Sequence, residues 1–231
     1  MNSTRDALQR VATHVLARAR FAATGRFGLR ATPGGFGTPA FGDSVEVLRV
    51  AGGTLVRERD GHASAIAIDG STLAALAEFS GADLSSHFEA GHDTPPLGDI
   101  DATLTIDLAE ATSLAAWWHL GWQAIDVACV GERDAMAIQL WPEHFDAGTS
   151  VAVGDDEGDR CNLGVSPGDS SHDEPYLYVG PWTNRRPGDA AFWNAGFGAV
   201  LARHEVDASA HPIETATNFF RRGLDLLTHG R

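Results

Sequence analysis

The residues of this chain best suited to chemistry crowd into positions 138 to 182. The first part of that stretch, QLWPEHFD, holds His144 and Asp146 two positions apart. Residues two apart on a strand point to the same face, so this pair could chelate a metal ion or form a histidine–carboxylate pair. The structural alternative is a buried histidine bonded to a nearby backbone or carboxylate group. Pro142 cannot donate to a sheet ladder, which makes the segment an edge strand, a bulge or a strand end.

A second polar segment, SPGDSSHDEPYLYV, begins with a tight turn at Pro167 and Gly168. The metal-site hypothesis takes one divalent transition metal, such as zinc, iron or manganese, with four ligands: His144, Asp146, Asp169 and His172. The acid–base hypothesis takes His144, Asp146, His172 and Glu174 as the catalytic residues. Both hypotheses require the two segments to meet in space. The alternative for the second segment is a solvated turn whose polar side chains satisfy the local backbone.

Aromatic residues accompany these two segments and are interleaved with arginines. The predicted ligand-binding residues are Trp141, Tyr176, Tyr178, Trp182, Arg185, Arg186 and Trp193. Aromatic walls with a few polar anchors are typical of pockets for organic ligands, and arginine can clamp a carboxylate or a phosphate. The alternative is a core in which the polar atoms of Tyr and Trp reach the rim.

Three function hypotheses follow from these residues. The first is a small-molecule enzyme, metal-dependent or acid–base, with its site between segments 141–146 and 166–182. The second is a non-catalytic metabolite-binding protein that uses the aromatic pocket. The third is a structural module that self-associates as a homo-oligomer and has no ligand. The chain lacks a P-loop and a dinucleotide-binding glycine pattern, so it offers no support for those chemistries.

Composition narrows the choice of partners. The formal net charge is −14, and all 17 basic residues are arginine. Such acidity disfavours nucleic acid, whose binding requires a basic patch. No apolar run is long enough to span a bilayer, and the N-terminus lacks the pattern of a signal peptide, so we expect a cytoplasmic protein with no membrane partner. Cys129 and Cys161 lack the spacing of a metal site.

Periodicity and turn residues predict the elements that must position these side chains. Apolar residues recur at helical spacing over 4–20, over 107–129 and near the C-terminus, which predicts three main amphipathic helices. Gly52-Gly53 and Gly61 fall between strand-like runs, where tight hairpins need positive φ. Two β-rich halves, 21–80 and 132–200, flank the central helix.

Runs of strands separated by a few helices are typical of an α+β fold. We therefore predict a single domain over residues 1–231, with an antiparallel sheet of about seven or eight strands. The two β-rich halves would form this sheet as a barrel or as a sandwich.

Four segments, QLWPEHFD, SPGD, EPYLYVGPW and FWN, carry a resemblance. Together with TGRFGLRATPGGFGTPAFG near the start, they make the chain similar to a group of uncharacterised actinobacterial proteins. The resemblance covers most of the chain, and the part from WPEHFD to YVGPW is its specific portion. It implies a bacterial source with a high-GC genome and supplies no activity or ligand.

Overall fold

The computed structural model describes residues 4–91, 94–169 and 172–230. These residues divide into two compact units. The first unit contains the described residues up to Ala116 together with Leu140–Phe145. The second unit contains Trp117–Gln139 together with the described residues from Asp146 onward.

The first unit begins with a helix that changes its winding partway along. Helix α1 (Thr4–Val11) continues through a π-helical segment (Ala12–Ala17) into α2 (Arg18–Thr24), which ends at Gly25 with φ of 68°. The continuous helix therefore starts where the sequence predicts it and runs a turn further than expected. The buried side chains of the π-helical segment include Val15 and Leu16, and helix α3 (Leu73–Ser80) packs against this segment.

A five-stranded antiparallel sheet follows the first helix. Its strands lie in sequence order: β1 (Arg30–Thr32), β2 (Gly35–Gly37), β3 (Val47–Ala51), β4 (Thr54–Arg59) and β5 (His62–Ala67). The turn between β3 and β4 has φ of 55° at Gly52 and 78° at Gly53. The turn between β4 and β5 has φ of 51° at Asp60 and 77° at Gly61. Two successive positive φ angles define the tight hairpin turn that the glycines predict.

The long connector after α3 is held by one face of the first helix. Arg10, His14 and Arg18 lie four residues apart on this face, so they point the same way. Their partners are backbone oxygens of the connector: Leu97 and Asp99 for Arg10, Pro95 for His14, and Asp83 and Ser86 for Arg18. These bonds satisfy carbonyl groups of an irregular segment that no sheet ladder could satisfy.

His14 makes the stability of the first unit sensitive to acid. Its side chain is 2% exposed, and its Nε2 lies 3.0 Å from the Pro95 oxygen. A carbonyl oxygen only accepts, so Nε2 carries the proton of the neutral ring. Burial lowers the pKa of His14 from its ordinary 6.5; the Pro95 bond opposes this effect, and the charge of Arg18 adds to it.

We therefore expect stability to fall as the pH drops below about 6.5, because the unfolded chain then binds a proton that the buried ring refuses. Part of this loss, on the order of 1 kcal/mol between about pH 7.5 and pH 5, should disappear in His14→Gln. Urea unfolding of both proteins across this range measures it. His62→Gln, at an exposed site, is the control. A His14→Gln variant with the same pH dependence as the wild type would show that His14 is not the cause.

The segment QLWPEHFD is a strand end followed by a turn. Strand β6 covers Gln139–Trp141 and strand β7 covers Asp146–Ala152, and residues 142–145 form the turn. In the first unit Gln9 and Thr13 hold this turn by donating to the Glu143 and Pro142 oxygens, at 2.7 and 2.9 Å. Phe145 has φ of 60°, which no strand residue adopts.

The second sheet is also antiparallel and five-stranded. Besides β6 and β7 it contains β8 (Arg160–Ser166), β9 (Tyr176–Pro181) and β10 (Ala199–Ala202), in the order β10–β9–β8–β7–β6. Helix α4 (Leu108–Ala128) precedes this sheet, where the sequence predicts a helix over 107–129. Helices α5 (Arg203–Asp207) and α6 (Pro212–His229) end the described chain.

Within the second unit, two glycines bring helices against one face of this sheet. A Cβ at Gly121 of α4 would lie 2.4 Å from Cβ of Val165, and a Cβ at Gly223 of α6 would lie 2.7 Å from Val179 Cγ1. Val165 and Val179 belong to a row of buried apolar residues that includes Leu163 and Leu177. The side chains between these residues must therefore point to the opposite face.

The fold is α+β and antiparallel, as the sequence predicts. The described residues form ten strands, however, rather than seven or eight, since short pairs such as β1 and β2 are hidden in glycine-rich sequence. Neither sheet closes into a barrel in the described part of the chain, because the outer strands of each sheet are not paired with one another. None of the helices in residues 4–91, 94–169 and 172–230 is both long enough and apolar enough to cross a membrane.

Candidate functional site

The face of the second sheet opposite α4 and α6 is rich in polar and small residues, and we call it the polar face. Its members on β7, β8 and β9 are Asp146, Gly148, Ser150, Arg160, Asn162, Gly164, Ser166, Tyr176 and Tyr178. Cross-strand pairing aligns Gly148, Gly164 and Tyr178 in one row, and it aligns Ser166 with Tyr176 in the next row. The two predicted segments therefore contribute to one surface.

Tyr178 lies across the sheet and reaches Asp146. Its hydroxyl group donates a hydrogen bond to Oδ2 of Asp146, whose side chain is buried at 9% exposure. The ring occupies the space above two glycines, because a Cβ at Gly164 would lie 2.2 Å from Tyr178 Cζ and one at Gly148 would lie 3.3 Å from the hydroxyl oxygen. Two strand-interior glycines thus make room for this phenol–carboxylate pair.

A second phenol–carboxylate pair lies beside the first. Tyr176 donates to Asp169 Oδ2 at 2.6 Å, while the backbone N–H of His172 donates to Asp169 Oδ1 at 2.9 Å. The rings of Tyr176 and His172 meet edge to face with centroids 4.9 Å apart. The centroids of Tyr176 and Tyr178 are 6.1 Å apart, so the two pairs form one cluster.

The environment keeps both phenols protonated. Burial raises the pKa of Tyr178 well above its ordinary value of 10, and the negative charge of Asp146 raises it further. Burial likewise raises the pKa of Tyr176, with the hydrogen bond to Asp169 as the next cause. A phenol donating to a carboxylate can exchange its bond for one to a ligand, so the cluster can bind polar groups or move a proton.

Two predicted residues, His144 and Trp141, belong to the first unit. His144 is exposed in the 142–145 turn, whereas Asp146 is buried in β7 of the second unit. The prediction that both side chains share a strand face is wrong, because the chain turns between them. The ring of Trp141 contacts Phe27, another residue of the first unit, with centroids 6.1 Å apart.

Glu174 has a helix-capping role. Its Oε1 accepts from the backbone N–H of His204 at 2.9 Å, at the start of α5, and lies 2.8 Å from His204 Nδ1. The backbone bond from His204 is the main cause that lowers the pKa of Glu174, and the side-chain bond from His204 adds to it. These contacts use the carboxylate that the acid–base hypothesis assigns to catalysis.

The arginine and tryptophan residues after β9 hold their own loop. Arg186 donates to the backbone oxygens of Thr183, Arg185 and Phe197, and its guanidinium lies 5.6 Å from the Trp193 ring centroid. Trp193 Nε1 donates to the Pro187 oxygen at 2.9 Å. The side chain of Arg185 is exposed. Arg186 and Trp193 therefore fix the loop that carries Phe197.

Trp182 and Phe197 extend the cluster towards solvent. Trp182 is 55% exposed, its Nε1 donates to Asn162 Oδ1 at 2.7 Å, and Arg160 lies 5.8 Å from its ring centroid. Phe197 is 47% exposed and meets Tyr178 edge to face with centroids 6.2 Å apart. Of the predicted aromatic residues, Tyr176, Tyr178 and Trp182 therefore share the polar face.

The predicted metal ligands are not gathered into one site in the described part of the chain. Among residues 4–91, 94–169 and 172–230, no group of three or more His, Cys, Asp and Glu side chains could hold a metal ion.

Burial raises the pKa of the Cys129 thiol to about 11 and that of the Cys161 thiol to about 12. Both thiols are therefore protonated at neutral pH and are poor nucleophiles.

The first unit has a cleft of about 360 Å³ that the sequence did not indicate. Its lining residues are Asp6, Gln9, Arg10, Pro95, Pro96, Gly98, Asp99 and Ala102. Arg10 Nη2 is fixed there by the Leu97 and Asp99 oxygens at 2.9 and 2.8 Å. The cleft contains no residue of the predicted site and provides a comparison surface for ligand mapping.

Sequence reasoning also missed the residues that shape the polar face. Gly148 and Gly164 carry no chemistry, and Phe197 lies outside the two polar segments. Glycine inside a strand often marks a close approach by another group, and this signal could have identified both glycines.

No protein-family model, no curated protein and no solved structure matches this chain.

Proposed function

We propose that this chain binds a small organic ligand at the polar face of the second sheet, around Asp146, Asp169, Tyr176 and Tyr178. One observation carries the proposal: two phenol–carboxylate pairs lie side by side on one sheet face, and one of them, Tyr178–Asp146, joins the 141–146 and 166–182 segments. Burying a carboxylate is costly, and apolar residues of similar volume often fold as stably. Polar groups retained at such a cost are more readily explained by a binding role than by stability.

Acid–base catalysis is a second candidate, favoured by the contact between the Tyr178 hydroxyl and Asp146. In this version Tyr178, as the general acid, donates its proton to one atom of the ligand, and Asp146, as the general base, removes a different proton from the ligand. A raised phenol pKa keeps the acid protonated at neutral pH. Such groups must lie within hydrogen-bonding reach of the reacting atoms, so catalysis would need the ligand at the same position as simple binding does.

Thermal unfolding with a compound panel tests the binding proposal. The panel contains organic ammonium ions, carboxylates, phosphate esters and neutral polyols, applied to the wild type and to the variant Asp146→Asn/Tyr178→Phe. Saturation at about 100 times the dissociation constant stabilises the binding protein by about 2.7 kcal/mol. We expect at least one class to stabilise the wild type and to lose most of this effect in the variant.

The matched control is Asp155→Asn, which removes an exposed carboxylate from an ion pair with Arg133. This control should respond to every compound as the wild type does. The proposal fails if no class stabilises the wild type, or if the stabilising class acts equally on the double variant.

A further inference from the structure

The rings of Tyr176, Tyr178 and Phe197 are arranged at an angle to one another. The planes of Tyr176 and Tyr178 are inclined by 55°, and those of Tyr178 and Phe197 by 85°. Their centroids are separated by 6.1 and 6.2 Å, respectively. These two contacts join the three rings into one group, which we call the ring cluster. Several aromatic rings around one position are the arrangement that recognises alkylated ammonium groups.

Other aromatic residues in this chain already have a cation above the ring. Guanidinium groups lie 5.2 to 5.8 Å from the centroids of Phe88, Trp117, Trp182, Phe192 and Trp193. No arginine takes such a position over the ring cluster in residues 4–91, 94–169 and 172–230. The ring cluster thus differs from these pairs in having no protein cation stacked on its rings.

Negative charge accompanies the rings. Asp146 and Asp169 each accept a bond from one of the two phenols, and their charges are among the causes that raise the pKa of Tyr178 and of Tyr176. A cation bound near these rings would be stabilised by the negative charge of the carboxylates as well as by the ring faces. The whole chain, at −14, also attracts cations over longer distances.

His172 adds an unsatisfied polar atom beside the ring cluster. Its Nε2 is shielded from solvent and has no hydrogen-bond partner among the described residues, while its ring packs against Tyr176. Buried polar atoms are usually paired, and an exception in a native protein calls for an explanation. A ligand or a bound water that reaches this nitrogen would provide one.

We propose that the ring cluster binds an organic ammonium group, with Asp146 and Asp169 supplying the counter-charge and Phe197 forming the solvent-facing wall. This inference rests on the proposed function, since it names the ligand class for the same site. The bound molecule would carry a methylated or alkylated ammonium head. The ammonium would lie against the ring faces, and any hydroxyl or amine hydrogen would point to the carboxylates.

Choline and its uncharged analogue, in which a tert-butyl group replaces the trimethylammonium group, provide a matched pair of probes. The two molecules have nearly the same shape, so a difference in affinity measures the contribution of the charge. Calorimetric titration of the wild type should give at least about tenfold tighter binding of choline, which is the expected scale of a partly desolvated cation–π site.

Two substitutions locate this preference. Phe197→Leu removes an exposed ring with little risk to folding and should weaken choline binding about tenfold, with little effect on the analogue. Tyr178→Phe retains the ring and should keep most of the preference for charge. If Phe197→Leu binds choline with the same affinity as the wild type, the assignment of Phe197 to the ammonium site is overturned.

The remaining outcomes separate the two proposals. If choline binds no better than its analogue while another class in the compound panel stabilises the wild type, the ammonium inference is overturned and ligand binding at the polar face stands. If neither probe binds and no panel compound stabilises the wild type, both proposals are overturned.

Discussion

Trp117→Ala is expected to lower the free energy of unfolding by about 3–5 kcal/mol, as large core truncations do. The Trp117 side chain is 1% exposed, and its Nε1 donates to the Ser166 oxygen at 2.8 Å. The substitution leaves a cavity and removes a donor from a carbonyl group that is also shielded from water. Urea or guanidinium unfolding followed by circular dichroism measures the loss.

Trp182→Ala is the matched control, because it removes the same side chain from a largely exposed position. Its hydrogen bond to Asn162 and its contact with Arg160 should be worth no more than about 1 kcal/mol. Equal losses in the two variants would contradict the placement of Trp117 in the core and of Trp182 on the surface.

Gly164→Ala is expected to be the most damaging single-methyl addition on the polar face. The new Cβ would lie 2.2 Å from Tyr178 Cζ, so the ring must leave its position above β8. Its displacement breaks the bond to Asp146 and leaves a buried carboxylate without that donor. Overpacking and the lost bond together should cost about 2–5 kcal/mol.

Gly158→Ala provides the control, since no heavy atom lies within 4 Å of its added Cβ. Denaturant unfolding should place this control within about 0.5 kcal/mol of the wild type, as for surface substitutions generally. Near-ultraviolet circular dichroism should also report the displaced tyrosine in Gly164→Ala alone. Stability of Gly164→Ala equal to that of the control would mean that Tyr178 does not lie over Gly164.

The predictable parts of the fold depend on local rules. Gly52-Gly53 and Gly61 predict hairpins because few residues other than glycine adopt positive φ readily. The apolar stripe before Cys129 predicts α4 because its spacing repeats over the length of one helix. These signals need no knowledge of distant residues, and the structure has the corresponding elements at nearly the same positions.

The parts that differ depend on tertiary partners. The 142–145 turn is held by Gln9 and Thr13 of the first helix, which lie more than a hundred residues earlier in the sequence. The Glu174 carboxylate accepts a hydrogen bond from the backbone N–H of His204, 30 residues further along the chain. No local sequence pattern reveals this contact. The two-residue spacing of His144 and Asp146 predicts a shared face only if the strand continues, and the positive φ of Phe145 interrupts it.

The residues of the candidate site could be predicted from the sequence, but the hydrogen-bonded pairs that they form could not. Asp146, Asp169, Tyr176 and Tyr178 were all singled out by residue type, and the structure places them in one cluster. Their pairing depends on the register of β7, β8 and β9, together with the glycines that let Tyr178 lie across the sheet. Sequence periodicity carries no information about that register beyond a single strand.

The location of ligand binding is the central claim, and amide chemical-shift mapping tests it most directly. The titrant is whichever panel compound gives the largest thermal stabilisation of the wild type. Our account predicts that the perturbed amides lie at Asp146–Ser150, Arg160–Ser166 and Tyr176–Trp182, with Phe197 included. Perturbations confined to Asp6–Arg10 and Pro95–Ala102, around the cleft of the first unit, would contradict it.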